Sequence, residues 1–284
     1  MTLIEIGKRN YLLYLILSHP IKMALRFGDL RARLDQINAG FNDRVYSGDG
    51  ATDYDRIHSY EDDAQHEYPA RPLVSLVWGA DGRDYGNALE LGAGSGYFTA
   101  LIARRARSVI AIEPVEDLQK VAPDRCDTER LNNVRVIGSR AFDLSSDVHS
   151  GSVDSAFIIQ SLDHFHRRPD VFAELGRVVR PGGRLYLVEP HHNVRRVARL
   201  VRKYHRPYRH RGFWADEKNW ATHDFLTRGE LRALCRHGGF ENPRIEAYWI
   251  PSPERRFRAE RILGRIPVLR HAGSILAMQA RRKA

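Results

Sequence analysis

A short apolar run that breaks into three alternating glycines constrains this chain more than any other feature. Residues 88–91, Ala-Leu-Glu-Leu, have the character of a buried strand, and Gly92-Ala93-Gly94-Ser95-Gly96 follows directly. Behind the glycines, Phe98, Leu101, Ile102 and Ala106 recur at helical spacing on one face. The alternation continues with strand candidates at 108–112, 134–137, 153–159 and 184–188. Helical stretches lie around 116–121 and over 171–179, the latter with Val171, Phe172, Leu175, Val178 and Val179 on one side. Arg180-Pro181-Gly182-Gly183 reads as a type II turn before the fifth strand. A helix at 228–237, stopped by Gly238-Gly239, and strands at 244–250 and 274–279 close the pattern. Strands alternating with helices through short loops require a mostly parallel sheet covered on both faces, a doubly wound α/β fold. At 284 residues with 43% hydrophobic composition, the chain has enough apolar material for that core.

The remaining segments lack this texture. Residues 1–85 show no strand–helix alternation and are expected to form an N-terminal helical extension or cap. Residues 42–68 are polar, with a turn signal at Ser47-Gly48-Asp49-Gly50. The apolar stretch 11–18 is far short of the roughly 20 residues that span a bilayer, and no signal-peptide cleavage pattern follows it. Cys126 and Cys235 are far apart, which fits a reducing compartment and disfavours a disulfide framework or zinc site. The expected location is the cytoplasm.

In an open α/β sheet, ligands bind at the carboxyl ends of the strands where strand order reverses, which directs attention to the glycine loop. The dinucleotide pattern GxGxxG fails here. Counting from Gly92 places Tyr97 at its last position, and counting from Gly94 places Thr99 there. Glu90 precedes the loop, where a carboxylate repels a pyrophosphate but attracts an ammonium or sulfonium. Glu113 ends the second strand, where an acidic side chain can accept both hydroxyls of a ribose. Each carboxylate alone reads as a solvated strand-end residue. Together, around a glycine turn, they point to a cationic, ribose-bearing and phosphate-free cofactor.

Glu90-Leu91-Gly92-Ala93-Gly94-Ser95-Gly96 resembles the first motif, [DE]xGxGxG, of class I S-adenosylmethionine-dependent methyltransferases. The resemblance runs over about residues 86–190. It includes Gly151-Ser152-Val153-Asp154, the 172–183 segment FAELGRVVRPGG, and Val188-Glu189-Pro190, which are similar to small-molecule methyltransferases. It implies a seven-stranded Rossmann-like domain over 86–284 that binds S-adenosylmethionine. Gly92, Gly94 and Gly96 would cradle the methionine part, and Glu113 would grip the ribose. The loop after the third strand, Gly138-Ser139-Arg140, would touch adenine through Ser139 and Arg140, and Gln160 at the end of the fourth strand would complete the cofactor set. His164 aligns with a position that often carries histidine in the family and faces the methyl group.

A hydroxyl acceptor benefits from a base that titrates near neutrality, so His164 is the candidate base and Asp163 its orienting partner. A structural histidine bonded to a loop carbonyl is the competing reading. His191 and His192, after the fifth strand, are weaker candidates on the same sheet edge. No metal-ligand spacing appears, and no metal is expected. Asn/Asp-Pro-Pro-Tyr/Phe and Pro-Cys motifs are absent, which disfavours the usual nucleic-acid base methylation and favours oxygen methylation.

The formal net charge of +10 is unevenly placed. Residues 191–225 interrupt the alternation, and 193–211 carry many arginines and no acid. Val194, Val197, Ala198 and Val201 share a helical face opposite Arg195, Arg196, Arg199, Arg202 and Lys203. Such a basic amphipathic insertion can serve as a substrate lid, lie on the inner membrane surface, or bind nucleic acid. With the arginines of 255–270 it suggests an anionic small-molecule, lipid or glycan acceptor. A basic RNA methyltransferase, a cofactor-binding protein without catalysis and a nicotinamide enzyme are the rival readings.

Overall fold

The computed structural model describes residues 46–58, 84–193, 226–248, 266–267, 269–273 and 275–284. Seven strands form one sheet: β1 (Asn87–Leu91), β2 (Ser108–Ile112), β3 (Val134–Ile137), β4 (Val153–Ile159), β5 (Val179–Pro190), β6 (Phe240–Tyr248) and β7 (Ile275–Arg282). Their order is β3-β2-β1-β4-β5-β7-β6. Neighbours pair in parallel from β3 to β5, and β7 runs antiparallel between β5 and β6. The order in which strands are added to the sheet reverses between β1 and β4, the adjacent parallel pair beside the glycine loop.

The expected alternation is confirmed and its physical basis is visible in burial. Along β4, Ala156 and Ile158 enter one core, while Phe157 and Ile159 enter the other. A parallel strand buried on both faces must be apolar at consecutive positions, as β4 is. The first core packs against α4 (Arg168–Val178) and α5 (Arg228–His237), through Val171, Phe172, Leu175, Leu231 and Leu234. The second packs against α2 (Tyr97–Ala103), through Ile102 and Ala103. Thr227 caps α5 by accepting from the Glu230 amide at 3.2 Å, a link worth about 1 kcal/mol.

Several boundaries differ from the sequence expectation, among them those of β5 and of two helices. β5 begins at Val179, and its register jumps from Val179 opposite Val153 to Arg184 opposite Ser155, so the Pro-Gly-Gly turn bulges out of a longer strand. α3 (Glu116–Thr128) continues through Pro123, beyond the expected 116–121. Burial of Leu118, Ala122 and Cys126 on one face holds the helix across the hydrogen bond that proline removes. After the expected turn at 47–50, closed by Gly50 N–H donating to the Ser47 carbonyl at 3.1 Å, helix α1 runs over Asp49–His58. It docks on α3 through Gly48 N–H to Asp117 at 2.8 Å and an Arg125–Asp55 ion pair at 2.8 Å.

The apolar stretch 11–18, most of the basic insertion and most of the 255–270 patch lie outside the described residues. The insertion's two ends are described. His191 bridges Leu226, and the His192 amide donates to the Leu226 carbonyl at 2.9 Å, so the chain leaves and rejoins the sheet at one point beside the end of β5. No described helix is long and apolar enough to cross a membrane.

Candidate active site

The site grows from the carboxyl ends of β1, β2 and β4. Gly92, Gly94 and Gly96 all have positive φ, at 76°, 56° and 82°. Gly96 has a second constraint, because a Cβ there would lie 2.8 Å from the Ala122 Cα of α3. The loop therefore turns back tightly between β1 and α3, which no side chain would allow.

Glu90 is 1% exposed and accepts from the Thr99 hydroxyl at 2.5 Å. Burial pushes its pKa up to about 8, opposed by the Thr99 bond and reinforced by nearby Glu113. Glu113 is 5% exposed and receives the Gly94 amide at 2.8 Å and the Val115 amide at 3.0 Å. Its pKa is also raised, since burial outweighs the two amide bonds. Glu113 thus shapes the glycine loop through Gly94. Each oxygen keeps a second lone pair for a ligand hydroxyl. Two buried carboxyls, with Glu113 adding to the rise in the Glu90 pKa, are suited to a cationic guest.

Two further polar atoms at this edge are buried and find no hydrogen-bond partner among the described residues: Ser95 Oγ in the glycine loop and Gln160 Nε2. Gln160 also sits at φ 51°, a left-handed conformation that costs a non-glycine residue energy. Its amide donates to the Val188 carbonyl at 2.7 Å, which anchors this strained residue at the strand end. Unsatisfied donors and acceptors here fit a polar ligand such as an amino-acid-bearing nucleoside. Ser139 lies beyond β3, and its hydroxyl donates to Asp147, with Ser146 also donating to Asp147 at 2.9 Å. The Arg140 carbonyl accepts from Asp143 in the same loop at 2.9 Å.

Asp163 and His164 lie in a single 3-10 turn, Leu162–His164, at the exit of β4. Asp163 is 3% exposed, and its Oδ2 is 3.8 Å from His164 Nε2, beyond hydrogen-bond reach but within strong electrostatic range. The turn abuts the glycine loop. A Cβ on Gly92 would lie 2.6 Å from Ser161 Cβ, and the Ser161 hydroxyl donates to the Leu91 carbonyl at 2.9 Å. His191 is placed differently. It is buried, with Nδ1 2.9 Å from the Gly273 carbonyl, and joins β5 to the segment before β7. Among the described residues no group of three metal-ligating side chains occurs.

Sequence reasoning missed two tyrosines. Tyr54 of α1 places its hydroxyl 2.8 Å from the position a Gly94 Cβ would take. The Tyr46 ring stands edge-on to His164 at 5.7 Å and to Tyr54 at 5.2 Å. Burial raises the Tyr46 pKa, with Asp163 and Glu113 adding to the shift. Tyr46 and Tyr54 therefore lie over the His164 turn and the glycine loop. The only local signal was the tyrosine-bearing polar segment after residue 42, whose periodicity is too short to reveal its docking partner.

Comparison with known proteins agrees with this geometry. Residues 89–187 match a family described as a methyltransferase domain. The chain is 35% identical over 106 residues to methyltransferase GfsG of Streptomyces halstedii, a match covering 36% of each chain. It is 26% identical over 200 residues to a demethylmenaquinone methyltransferase of Tropheryma whipplei, covering 66% of this chain and 79% of that one. Among solved structures, phosphoethanolamine N-methyltransferase 2 of Haemonchus contortus with S-adenosyl-L-methionine superposes with a TM-score of 0.59. That match has 13% identity and covers 86% of this chain and 60% of the other. Residues 89–187 thus match a methyltransferase domain, and the chain is similar to S-adenosylmethionine-dependent methyltransferases of the class I fold.

Proposed function

We propose that this chain methylates a hydroxyl of a small-molecule, lipid or glycan acceptor, using His164 as the base. The observation that carries the reading is the placement of the His164 turn against Gly92 of the glycine loop, under Tyr46 and beside Asp163. S-adenosylmethionine, when bound, supplies a methyl group on a positively charged sulfur that departs as a neutral thioether. The chain's own residues then need to orient the acceptor, exclude water and accept one proton. Glu90, Gly92, Gly94, Gly96, Glu113 and Gln160 would hold the donor, with Ser139 and Arg140 at its adenine end. His164 would take the hydroxyl proton as the oxygen–carbon bond forms, and the Asp163 carboxylate would favour the imidazolium that results.

The demethylmenaquinone methyltransferase likeness supports a small-molecule acceptor. The acid-free run 193–211 supports an acceptor with negative charge. The test uses methyl-labelled S-adenosylmethionine with fractionated host extract. His164→Ala should keep donor uptake within about threefold and lose roughly 100-fold or more in labelling, the range expected for a general base. Undiminished labelling by the variant would refute the base assignment. Label appearing only in RNA would refute the acceptor class.

A further inference from the structure

We propose that Glu189 and Arg168 form a buried bracket that positions His164, making Glu189 a positioning residue for this site. The argument begins with the backbone of the β4-exit turn, where a strained Gln160 hands the chain to a one-turn 3-10 helix. Such a turn satisfies only its own closing bonds, here His164 N–H to the Ser161 carbonyl at 3.0 Å and Phe165 N–H to the Leu162 carbonyl at 3.1 Å. Its leading amides and remaining carbonyl capacity need partners elsewhere.

Both needs are met by buried polar side chains. Glu189, at the end of β5 and 0% exposed, accepts the Ser161 and Leu162 amides on one oxygen, each at 2.9 Å. Arg168, at the start of α4 and 3% exposed, donates to the Leu162 carbonyl at 3.0 Å and the Asp163 carbonyl at 3.3 Å. The carboxylate thus grips the turn by its amides and the guanidinium grips it by its carbonyls. Arg168 is itself steadied by Glu230 of α5 at 3.6 Å. Burial pushes the Glu189 pKa up to about 8, with Asp163 adding to the rise and the Leu162 and Ser161 amides and Arg168 opposing it.

Burying Glu189 is costly, and its second oxygen finds no hydrogen-bond partner among the described residues. The placement is explained if a rigid His164 turn is required where donor and acceptor meet. This assignment rests on the proposed role of His164, yet it is testable without an acceptor.

The experiment follows Ser161 and Leu162 amides and the His164 ring by NMR in the full chain, and measures S-adenosylhomocysteine affinity by calorimetry. Glu189→Gln keeps an acceptor oxygen and should leave His164's resonances and titration unchanged, with affinity within twofold. Glu189→Leu removes the acceptor. It should broaden both amides, move the His164 titration midpoint by at least about 0.3 pH unit, and weaken affinity at least fivefold. Should that variant not fold, Glu189→Asp, which shortens the reach, replaces it with the same expectation. An unmoved His164 in the Leu or Asp variant, or a Gln variant as disturbed as they are, would overturn the bracket. Absence of ligand binding by the unmodified protein would instead strike the cofactor reading, because the NMR comparison needs no ligand.

Discussion

Replacing Glu90 with glutamine should remove a pH dependence of donor binding that the buried carboxyl imposes. With its pKa pushed up to about 8, Glu90 is only about one-tenth ionised at pH 7 in the ligand-free protein. A cationic donor binds well only to the ionised form, so binding must release a proton. Ionising the group at pH 7 costs about 1.4 kcal/mol. A cation 4–5 Å from the carboxylate recovers about 3–4 kcal/mol at an effective dielectric near 20. The net gain is about 2 kcal/mol, or roughly 30-fold in affinity. Calorimetry with S-adenosylmethionine in buffers of different ionisation enthalpy should therefore show close to one proton released near pH 7. Affinity should rise about tenfold per pH unit below pH 7 and level off above about 8. Glu90→Gln should weaken binding roughly 30-fold at pH 7 and flatten most of the slope, with Glu113 supplying the remainder. Pooled data showing no proton release, a flat profile from pH 6 to 8 and an unaffected variant would refute the claim that a carboxylate attracts the donor's charge.

Two more outcomes follow from the same structure. Glu90 and Glu189 both have folded-state pKa values raised to about 8, so the ligand-free protein binds more protons than the unfolded chain between about pH 4.5 and 8. Their stabilising contribution is full below the unfolded value and is lost as pH rises through about 8, at up to about 1.4 kcal/mol per pH unit for each group. Urea titrations across this range should show the decline, and Glu189→Gln should flatten part of it. Gly96→Ala combines a φ of 82° with a Cβ 2.8 Å from the α3 backbone. It should cost about 2 kcal/mol or more in thermal unfolding and weaken donor uptake; a neutral result would mean that α3 yields easily.

Much of this architecture was legible in local sequence, and for identifiable reasons. Strand β4 announces itself because a strand buried on both faces carries consecutive apolar residues, here Ala156 to Ile159. The glycine loop is legible because positive φ at Gly92, Gly94 and Gly96 leaves few alternatives to glycine. Glu90 and Glu113 could be paired because consecutive parallel strands bring their carboxyl ends side by side. The continuation of α3 through Pro123 was not legible, since packing against the sheet overrides a local penalty. Nor was the bulge that places Arg180–Gly183 within β5, since a strand's register is set by its neighbour.

What the amino-acid order alone determined is the doubly wound sheet, the position of the glycine turn and the acidic character of the pocket. These depend on periodicity and on backbone preferences that act within a few residues. Only the tertiary structure decided that Tyr46 and Tyr54 cover the site, that His191 serves the scaffold, and that Glu189 and Arg168 grip the turn bearing His164. Those contacts join residues 6 positions apart, as in Arg168 with Leu162, to 118, as in Tyr46 with His164, and the cost of an unpaired charge or amide is felt only once the chain has closed around it.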